Sequence, residues 1–401
     1  MFEKFNRWVY AIIGFIILLS SGVAYSWTTL SVPIAAEYPQ WSKFDLSLTF
    51  SLVMLFFSIS GMISGAMLRR GAKPRNLLML ASALTLGGFI VASKATSPMQ
   101  LYVGVGFLVG FGAGFSYNPV LSTLSKWFAD RQGMISGFLL MGMGLSSFIV
   151  GKIFQAITPS FTNTWRTSFL LIGSVIAVIY LLCSFFIVTP KPEQIPATPA
   201  RRGASLDIST AQMLRRPAFY LYYIWAVLIS AVGMIIIGQA SGIMLEVVPN
   251  VDPSFRATIV GLVSVANGVG RIFFGKLYDM KGYRPTMLLG IFGFFATCAV
   301  LISAIAGGQL ALLVVGFILG GLCYSCVTPT NSALGYDFFG AKHYATNFPF
   351  ISSCLMIGSF GSSISGRLYD VSQSYTSTLV LSIGFTAVAL VALLFLKKPK
   401  E

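Results

Sequence analysis

The sequence predicts an all-α membrane protein in which twelve transmembrane helices form two pseudo-symmetric six-helix halves. Three observations lead to this prediction: the composition, the number of long apolar segments, and an internal repeat. The chain has 401 residues, of which 56% are hydrophobic and only 10% are charged. In a soluble globular domain about 25% of residues are charged. A chain with so few charges is therefore expected to lie in a lipid bilayer.

Twelve segments are long and apolar enough to cross a bilayer, which takes about 20 residues. The predicted spans are residues 8–34, 45–68, 75–95, 99–127, 132–156, 165–188, 217–246, 255–279, 284–306, 309–336, 344–369 and 376–396. The first span lacks a small-residue cleavage site, so we interpret it as a helix and not as a cleaved signal peptide. Residues 189–216 are rich in proline and charge. They predict a cytoplasmic linker between a first half at 1–188 and a second half at 217–401.

The lysines and arginines predict the orientation. Of the 27 Lys and Arg residues, twenty fall on one side of the predicted spans and six on the other, and Arg271 lies inside a span. Cytoplasmic loops carry the excess of lysine and arginine in membrane proteins. Both termini are therefore predicted to be cytoplasmic, in an inner or plasma membrane. Because topology accounts for the net charge of +15, no nucleic-acid partner is expected.

A short motif recurs at the end of every third span. Its four copies are Gly65-Ala-Met-Leu-Arg69, Gly151-Lys-Ile-Phe-Gln155, Gly275-Lys-Leu-Tyr-Asp279 and Gly366-Arg-Leu-Tyr-Asp370. This phase divides each half into two three-helix units of opposite topology. Such an arrangement is typical of alternating-access transporters.

Arg271 is the most informative side chain of the sequence. It lies within predicted span eight, and Asp279, the nearest acid that follows it, is two turns away. A guanidinium near the bilayer centre costs at least about 2.5–3.5 kcal/mol and remains charged. We predict that Arg271 faces a water-accessible cavity and binds a diffusible anion, with Asn267 one turn earlier on the same face. The alternatives are an arginine that snorkels to the rim or bonds carbonyl groups of a neighbouring helix.

Two sets of motifs resemble known families. The loop Gly275-x-x-x-Asp279-x-Lys281-Gly282-x-Arg284-Pro285 resembles the loop signature of the major facilitator superfamily. The first-half loop keeps the basic residues, Arg70 among them, but has Arg69 where the family usually has an aspartate. The resemblance implies that Arg69, Arg70, Asp279, Lys281 and Arg284 form a gating loop. A narrower set resembles the oxalate/formate antiporter family and related monocarboxylate transporters: Asn6-Arg7-Trp8, Ser21-Gly22-Val23-Ala24-Tyr25-Ser26-Trp27, Trp127-Phe128-Ala129-Asp130-Arg131, Asn267…Arg271 and Pro329-Thr330-Asn331.

The narrower resemblance implies that Arg271 binds the substrate carboxylate. Oxalate transporters of that group carry a second cation, a lysine, in helix eleven, near the position of Cys354 in this chain. Two desolvated carboxylates need two positive charges, whereas one arginine can hold both oxygens of one carboxylate. A small monocarboxylate such as lactate, pyruvate or acetate is therefore favoured.

The remaining pocket residues are predicted from helix phase and resemblance. Tyr117 and Tyr324 each precede a proline in pseudo-equivalent spans, and Tyr25 matches an aromatic position of the family motif in helix one. Apolar side chains that would line the cavity share a helix face in span five or span eleven. These are Leu140 and Met143, and Phe350, Ser353 and Cys354. Core packing is the alternative for each of them.

These patterns predict a transporter and not an enzyme, since no nucleophile–base pair or metal cluster is present in the sequence. We expect proton-coupled symport of monocarboxylates by a monomer, without cofactor or metal. Proton coupling is implied by the resemblance to monocarboxylate transporters. The alternatives are an oxalate/formate-type anion antiporter and a non-transporting membrane sensor of anions.

Overall fold

The computed structural model describes residues 6–128, 132–158, 164–194, 207–340 and 343–399. Within these ranges the chain forms helices and no strand, and twelve helices are long and apolar enough to span a membrane. They are α1 Arg7–Glu37, α2 Lys43–Leu68, α3 Pro74–Ser93, α4 Pro98–Trp127, α5 Ile135–Ile157, α6 Trp165–Ser184, α7 Pro217–Val247, α8 Pro253–Lys281, α9 Tyr283–Gly307, α10 Leu310–Phe339, α11 Thr346–Ser372 and α12 Thr376–Phe395. The predicted fold class is confirmed.

One predicted boundary differs by a full turn. The sixth span was expected to reach residue 188, but α6 ends at Ser184. The residues that follow are apolar, and hydropathy alone cannot separate them from the helix. They lie outside the helix, with Ile187 buried and Phe185 exposed, and the Val188 carbonyl accepts a hydrogen bond from the Trp127 indole at 2.8 Å.

Several spanning helices are irregular near their middle. α1 contains a 3₁₀ turn at Gly22–Ser26, α4 contains a π-helical stretch at Tyr102–Val109, and α10 is interrupted between Tyr324 and Val327. Irregular backbone at membrane depth is tolerated where protein buries it or where it lines a cavity. The interruptions in α1 and α10 therefore indicate the centre of the bundle as the place to look for a site.

Glycines bring α1–α6, here called the first half, against α7–α12, the second half. A Cβ added to Gly144 of α5 would lie 3.2 Å from the Gly268 Cα of α8. A Cβ added to Gly366 of α11 would lie 2.7 Å from the Lys43 carbonyl oxygen of α2. Small residues allow such close backbone approach between membrane helices. The two helix pairs α5–α8 and α2–α11 are thus main contacts between the halves.

The bundle has two distinct ends. The basic end carries Arg70 after α2 and Arg284 in α9, and the opposite end carries Lys43 and Asp370. At the opposite end, the Asp370 carboxylate accepts hydrogen bonds from the backbone amides of Lys43 (2.8 Å) and Phe44 (3.0 Å). A side chain of the second half thereby caps the first turn of α2 in the first half.

Neutral hydrogen bonds continue this contact toward the bundle centre. Gln239 Nε2 of α7 donates to Ser47 Oγ at 2.7 Å. Ser51 Oγ lies 2.7 Å from both the Ser359 carbonyl and Ser363 Oγ. We call Ser47, Ser51, Gln239, Ser359, Ser363 and Asp370 the seal. On the side of α11 nearer the basic end, the Phe350 side chain is 47% exposed.

The linker is described only in part. Its residues 195–206 lie outside the described ranges, and a short helix at Thr210–Met213 precedes α7. Thr210 Oγ1 donates to Asn347 Oδ1 at 2.8 Å, and Asn347 Nδ2 donates to the Ile208 carbonyl at 2.9 Å. These bonds fix the end of the linker to α11 at the basic end.

Removing the Asp370 carboxylate should loosen the seal, because two backbone amides of α2 lose their charged acceptor. In a Cys183→Ser background, we expect Asp370→Ala to raise the rate at which a membrane-impermeant maleimide labels Ser363→Cys several-fold. Asp252→Ala is the matched control, since Asp252 caps its own helix by accepting from the Phe255 amide at 2.8 Å. Equal labelling rates in the two variants would contradict a role of Asp370 in the seal.

Candidate substrate site between the halves

Arg271 is buried at the contact between the halves. Its side chain is 6% exposed, and Nη1 donates to the Leu140 carbonyl of α5 at 3.2 Å. The Nε atom has no hydrogen-bond partner among the described residues. No carboxylate of the described residues pairs with it: the ion pairs found there join Arg166 to Glu37 and Lys398 to Asp337.

The faces of α8 explain why Arg271 reaches this place. One face packs on α5, where a Cβ added to Gly261 would contact Phe148 and one added to Gly268 would contact Met141. The other packs on α10, where a Cβ added to Gly270 would lie 3.2 Å from the Leu322 carbonyl. At 100° per residue, Arg271 projects between these two faces. The helix therefore directs the guanidinium toward the junction of the two halves.

Asn267 lies one turn before Arg271 on the same strip of α8. It is 2% exposed, and its Oδ1 atom has no partner among the described residues. A buried polar group left unpaired costs about 1–3 kcal/mol. An unpaired donor on Arg271 and an unpaired acceptor on Asn267 thus lie one turn apart in the protein interior. This is the arrangement expected of a site that a polar ligand completes.

Two tyrosines join this site from different halves. The Tyr324 phenol of α10 lies close to Tyr25 of α1 and within electrostatic range of Arg271. The Tyr324 ring packs directly against Gly233 of α7, where a Cβ would overlap it. Tyr25 belongs to the 3₁₀ turn of α1, and Tyr324 ends the first part of α10. The irregular segments of both helices therefore meet beside the guanidinium.

The residues predicted on α5 contribute differently from each other. Leu140 provides its backbone carbonyl to Arg271 and is partly buried. Met143 is buried, and its carbonyl oxygen would lie 2.5 Å from a Cβ added to Gly22 of α1. The structure thus places both residues in the α1–α5–α8 contact next to the site.

The other predicted pocket residues lie further out or are bonded elsewhere. The Tyr117 ring packs on Phe57 of α2, with ring centroids 5.1 Å apart. Ser353 Oγ lies 2.7 Å from the Tyr223 hydroxyl. The buried Cys354 accepts from Asn331 Nδ2 at 3.3 Å and is also within electrostatic range of Tyr324. Those bonds tie Ser353 and Cys354 into the second half, while Phe350 is largely exposed.

The predicted gating loops lie at the basic end. Arg70, Asp279 and Lys281 are exposed there. Arg284 Nη2 donates to the Leu396 carbonyl at 3.3 Å, which ties the loop between α8 and α9 to the end of α12. The Arg69 side chain, and Asp130 and Arg131 of the motif before α5, lie outside the described part of the structure.

The sequence analysis missed the residues of the seal. A weak signal for them exists: Gln239 is an amide within an apolar span, and Ser359, Ser362 and Ser363 share a face of span eleven by their spacing. Serines are frequent in membrane helices, so the pattern alone does not indicate a partner in the other half.

Comparisons with known proteins agree with this architecture. The model of the Major Facilitator Superfamily matches residues 11–360 and 249–401. The oxalate:formate antiporter of Oxalobacter formigenes is 26% identical over 409 residues, covering 96% of this chain and 90% of that protein. Monocarboxylate transporter 13 of Bos taurus is 26% identical over 317 residues, covering 78% and 71%. A bacterial homolog of the human lysosomal transporter Spinster, solved in an inward-facing and occupied conformation, has a TM-score of 0.73 at 15% identity and covers 97% of this chain and 96% of that one.

The twelve-helix fold and these relatives identify a membrane transporter. The chain belongs to the Major Facilitator Superfamily. The resemblance predicted from the sequence motifs, to oxalate/formate antiporters and monocarboxylate transporters within that superfamily, is confirmed.

The contact between Gly233 and Tyr324 is expected to be sensitive to a single methyl group. Gly233→Ala should lower the thermal midpoint of the purified protein, because overpacking costs about 1–3 kcal/mol. Gly87→Ala is the control, since a Cβ there meets no atom within 4 Å. In a Tyr324→Ala background, Gly233→Ala should lower the thermal midpoint much less, because the ring that the added methyl group overlaps is gone. If Gly233→Ala costs as much without the tyrosine ring as with it, this contact is not the cause.

Proposed function

We propose that this protein is a secondary active transporter of small monocarboxylates such as lactate, pyruvate or acetate. The observation that carries the proposal is the buried guanidinium of Arg271, which has an unpaired Nε and no acidic partner among the described residues. A charge buried without a counter-ion is costly. A carboxylate that enters the site would supply the missing charge and accept the guanidinium hydrogen bonds.

One cation in the site favours one carboxylate. The position that corresponds to the second cation of oxalate transporters lies near Cys354, whose thiol accepts a hydrogen bond from Asn331. A dicarboxylate would leave its second charge desolvated and unpaired. An oxalate/formate-type antiporter is the alternative within this class, and the relationship to an antiporter of that name supports it.

Asn267 supports a hydroxy acid among the monocarboxylates. Its unpaired Oδ1 lies one turn from Arg271 and can accept a hydrogen bond from a substrate hydroxyl. Lactate has such a hydroxyl beside its carboxylate, and acetate has none. We therefore infer that lactate uses both Asn267 and Arg271.

The transport cycle that we propose is rocking of the halves, residues 1–188 and 217–401, about the site, with 189–216 as their linker. The protein would act as a monomer with its basic end in the cytoplasm, as the loop charges favour. The Arg271–carboxylate pair is neutral overall, so the loaded site can pass through an occluded state at lower cost than the empty cationic site. The hydrogen bonds of the seal would break when the opposite end opens.

Proton symport is the proposed coupling. Among the described residues, five acids lie at helix ends, and each accepts a hydrogen bond there or forms an ion pair. These are Glu37, Asp45, Glu246, Asp252 and Asp370. No carboxylate of the described part of the chain thus pairs with Arg271 as a dedicated proton carrier. We propose that one proton crosses in the same transport cycle as the carboxylate anion, as expected from the resemblance to monocarboxylate transporters.

Uptake of labelled lactate, acetate and oxalate into proteoliposomes tests the function. With an inward proton gradient we expect accumulation of lactate and slower uptake of oxalate, and collapse of the gradient with an ionophore should end accumulation. Uptake that requires an internal anion and ignores the gradient would favour the antiporter. Binding without flux of any of these anions would favour the non-transporting sensor.

Arg271→Gln should abolish saturable lactate uptake and the rise in thermal midpoint that lactate causes, because the site loses its charge. Arg271→Lys should retain part of the binding, since a lysine keeps the charge but not the bidentate geometry. Lys276→Gln removes an exposed cation of the same helix and should leave uptake unchanged. Lactate affinity in Arg271→Gln equal to that of the wild type would rule out the anchor role.

A further inference from the structure

A second arginine of α8 is buried with an unpaired Nε, as Arg271 is. Arg256 is 7% exposed, and its Nε has no hydrogen-bond partner among the described residues. Within the described part of the chain, Arg256 and Arg271 are the two arginines with a buried, unpaired Nε. Both therefore keep a buried donor that the protein itself does not satisfy.

Arg256 and Arg271 lie on one strip of the helix. At 100° per residue, Asn267 is rotated about 20° and Arg271 about 60° from Arg256. This strip runs between the face that packs on α5 and the face that packs on α10. At 1.5 Å per residue, the two arginines are about 22 Å apart along the axis. The strip therefore carries cations at the centre of the bundle and at its opposite end.

The halves meet directly beside Arg256. Lys152 Nζ, at the end of α5, donates to the Ser254 carbonyl at 2.8 Å and lies 2.9 Å from Ser254 Oγ at the start of α8. Ser254 is two residues from Arg256. Opening of the opposite end would separate α5 from α8 at this point. Arg256 would then become exposed to solvent.

The acids at this end of the bundle are occupied by other groups. Glu37 pairs with Arg166 at 2.7 Å. Glu246 accepts from the Tyr375 amide at 2.8 Å, and Asp370 caps α2. Asp252 is the acid that interacts electrostatically with Arg256, and it is bonded to the Phe255 amide as a helix cap.

Helix stability does not explain Arg256 either. It lies at the N-terminal end of α8, where the helix dipole disfavours a positive side chain. Burial and the helix dipole therefore both disfavour this cation in the empty protein, and the nearby Asp252 charge offsets only part of the cost. An anionic ligand would reverse both, because the guanidinium and the helix N-terminus would then act on it together.

We propose that Arg256 is a second carboxylate-binding site, at the entrance of the transport pathway at the opposite end of the bundle. It binds the monocarboxylate when that end opens, before the anion reaches Arg271 or after it leaves. This inference rests on the proposed function, since it assumes that a carboxylate crosses the bundle along α8.

The test measures lactate uptake from each side separately, in membrane vesicles of known and opposite orientation. Arg256→Gln should raise the KM for lactate presented at the opposite end about tenfold, which corresponds to roughly 1.4 kcal/mol, and leave the KM at the basic end unchanged. Arg256→Lys should give an intermediate KM. Lys94→Gln, which removes an exposed cation at the same end, is the control for general attraction of anions and should change neither KM.

Three outcomes would overturn the inference. If the wild type transports lactate and Arg256→Gln has an unchanged KM on both sides, the second binding site is refuted and the proposed function stands. A lowered thermal midpoint in Arg256→Gln and Arg256→Lys without a one-sided change in KM assigns Arg256 a structural role. Absence of carboxylate transport by the wild type overturns the proposed function and the inference with it.

Discussion

The structure is organised around one unfavourable feature, a guanidinium held in the bundle interior without a carboxylate partner among the described residues. Arg271 has a single hydrogen bond described for it, to the Leu140 carbonyl of the other half. A neutral carbonyl offsets only part of the cost of desolvating a cation. This bond is possible because Gly144 and Gly268 let α5 and α8 approach at backbone distance. The close crossing of the halves and the buried charge therefore belong to one arrangement.

The contacts that close the opposite end are of a different kind. They are neutral hydrogen bonds between serines and Gln239, together with the carboxylate cap on α2. Hydrogen bonds of this type contribute about 0.5–1.5 kcal/mol each. Several of these hydrogen bonds together hold two helices in contact. Each is weak enough to be replaced by a hydrogen bond to water when the helices separate. Stronger attraction at this end would hinder the rocking of the halves that we propose for transport.

The repeated motif at the helix ends shows how one sequence serves two environments. Gly275-Lys-Leu-Tyr-Asp279 ends α8 and Gly366-Arg-Leu-Tyr-Asp370 ends α11. Asp370 caps a helix of the other half, whereas Asp279 is exposed at the basic end. The two copies are chemically alike, so the difference arises from how closely the halves approach at each end. The glycine of the motif matters for the same reason, since Gly366 meets the α2 backbone without a side chain between them.

The sequence by itself determined the twelve membrane-spanning helices and the fold class, and it singled out Arg271. Apolar length is a local property, and a lone arginine in a span is conspicuous wherever the chain folds, so both were accessible without coordinates. The sequence also indicated Asn267, Tyr25 and Tyr324, which the structure gathers near Arg271 by helix phase and by the crossing of α1, α8 and α10.

Only the tertiary structure decided which partner each polar side chain has. Ser353 and Cys354 match a pocket face by spacing, yet they are bonded to Tyr223 and Asn331 within the second half. Gln239 and the serines of α11 carry only a weak local pattern, and they seal one end because their partners lie about 190 to 310 positions away along the chain. In the sequence, Arg256 lies at the start of predicted span eight, where an exposed cation is expected. Its burial is a property of the folded bundle, because packing depends on residues that are distant along the chain.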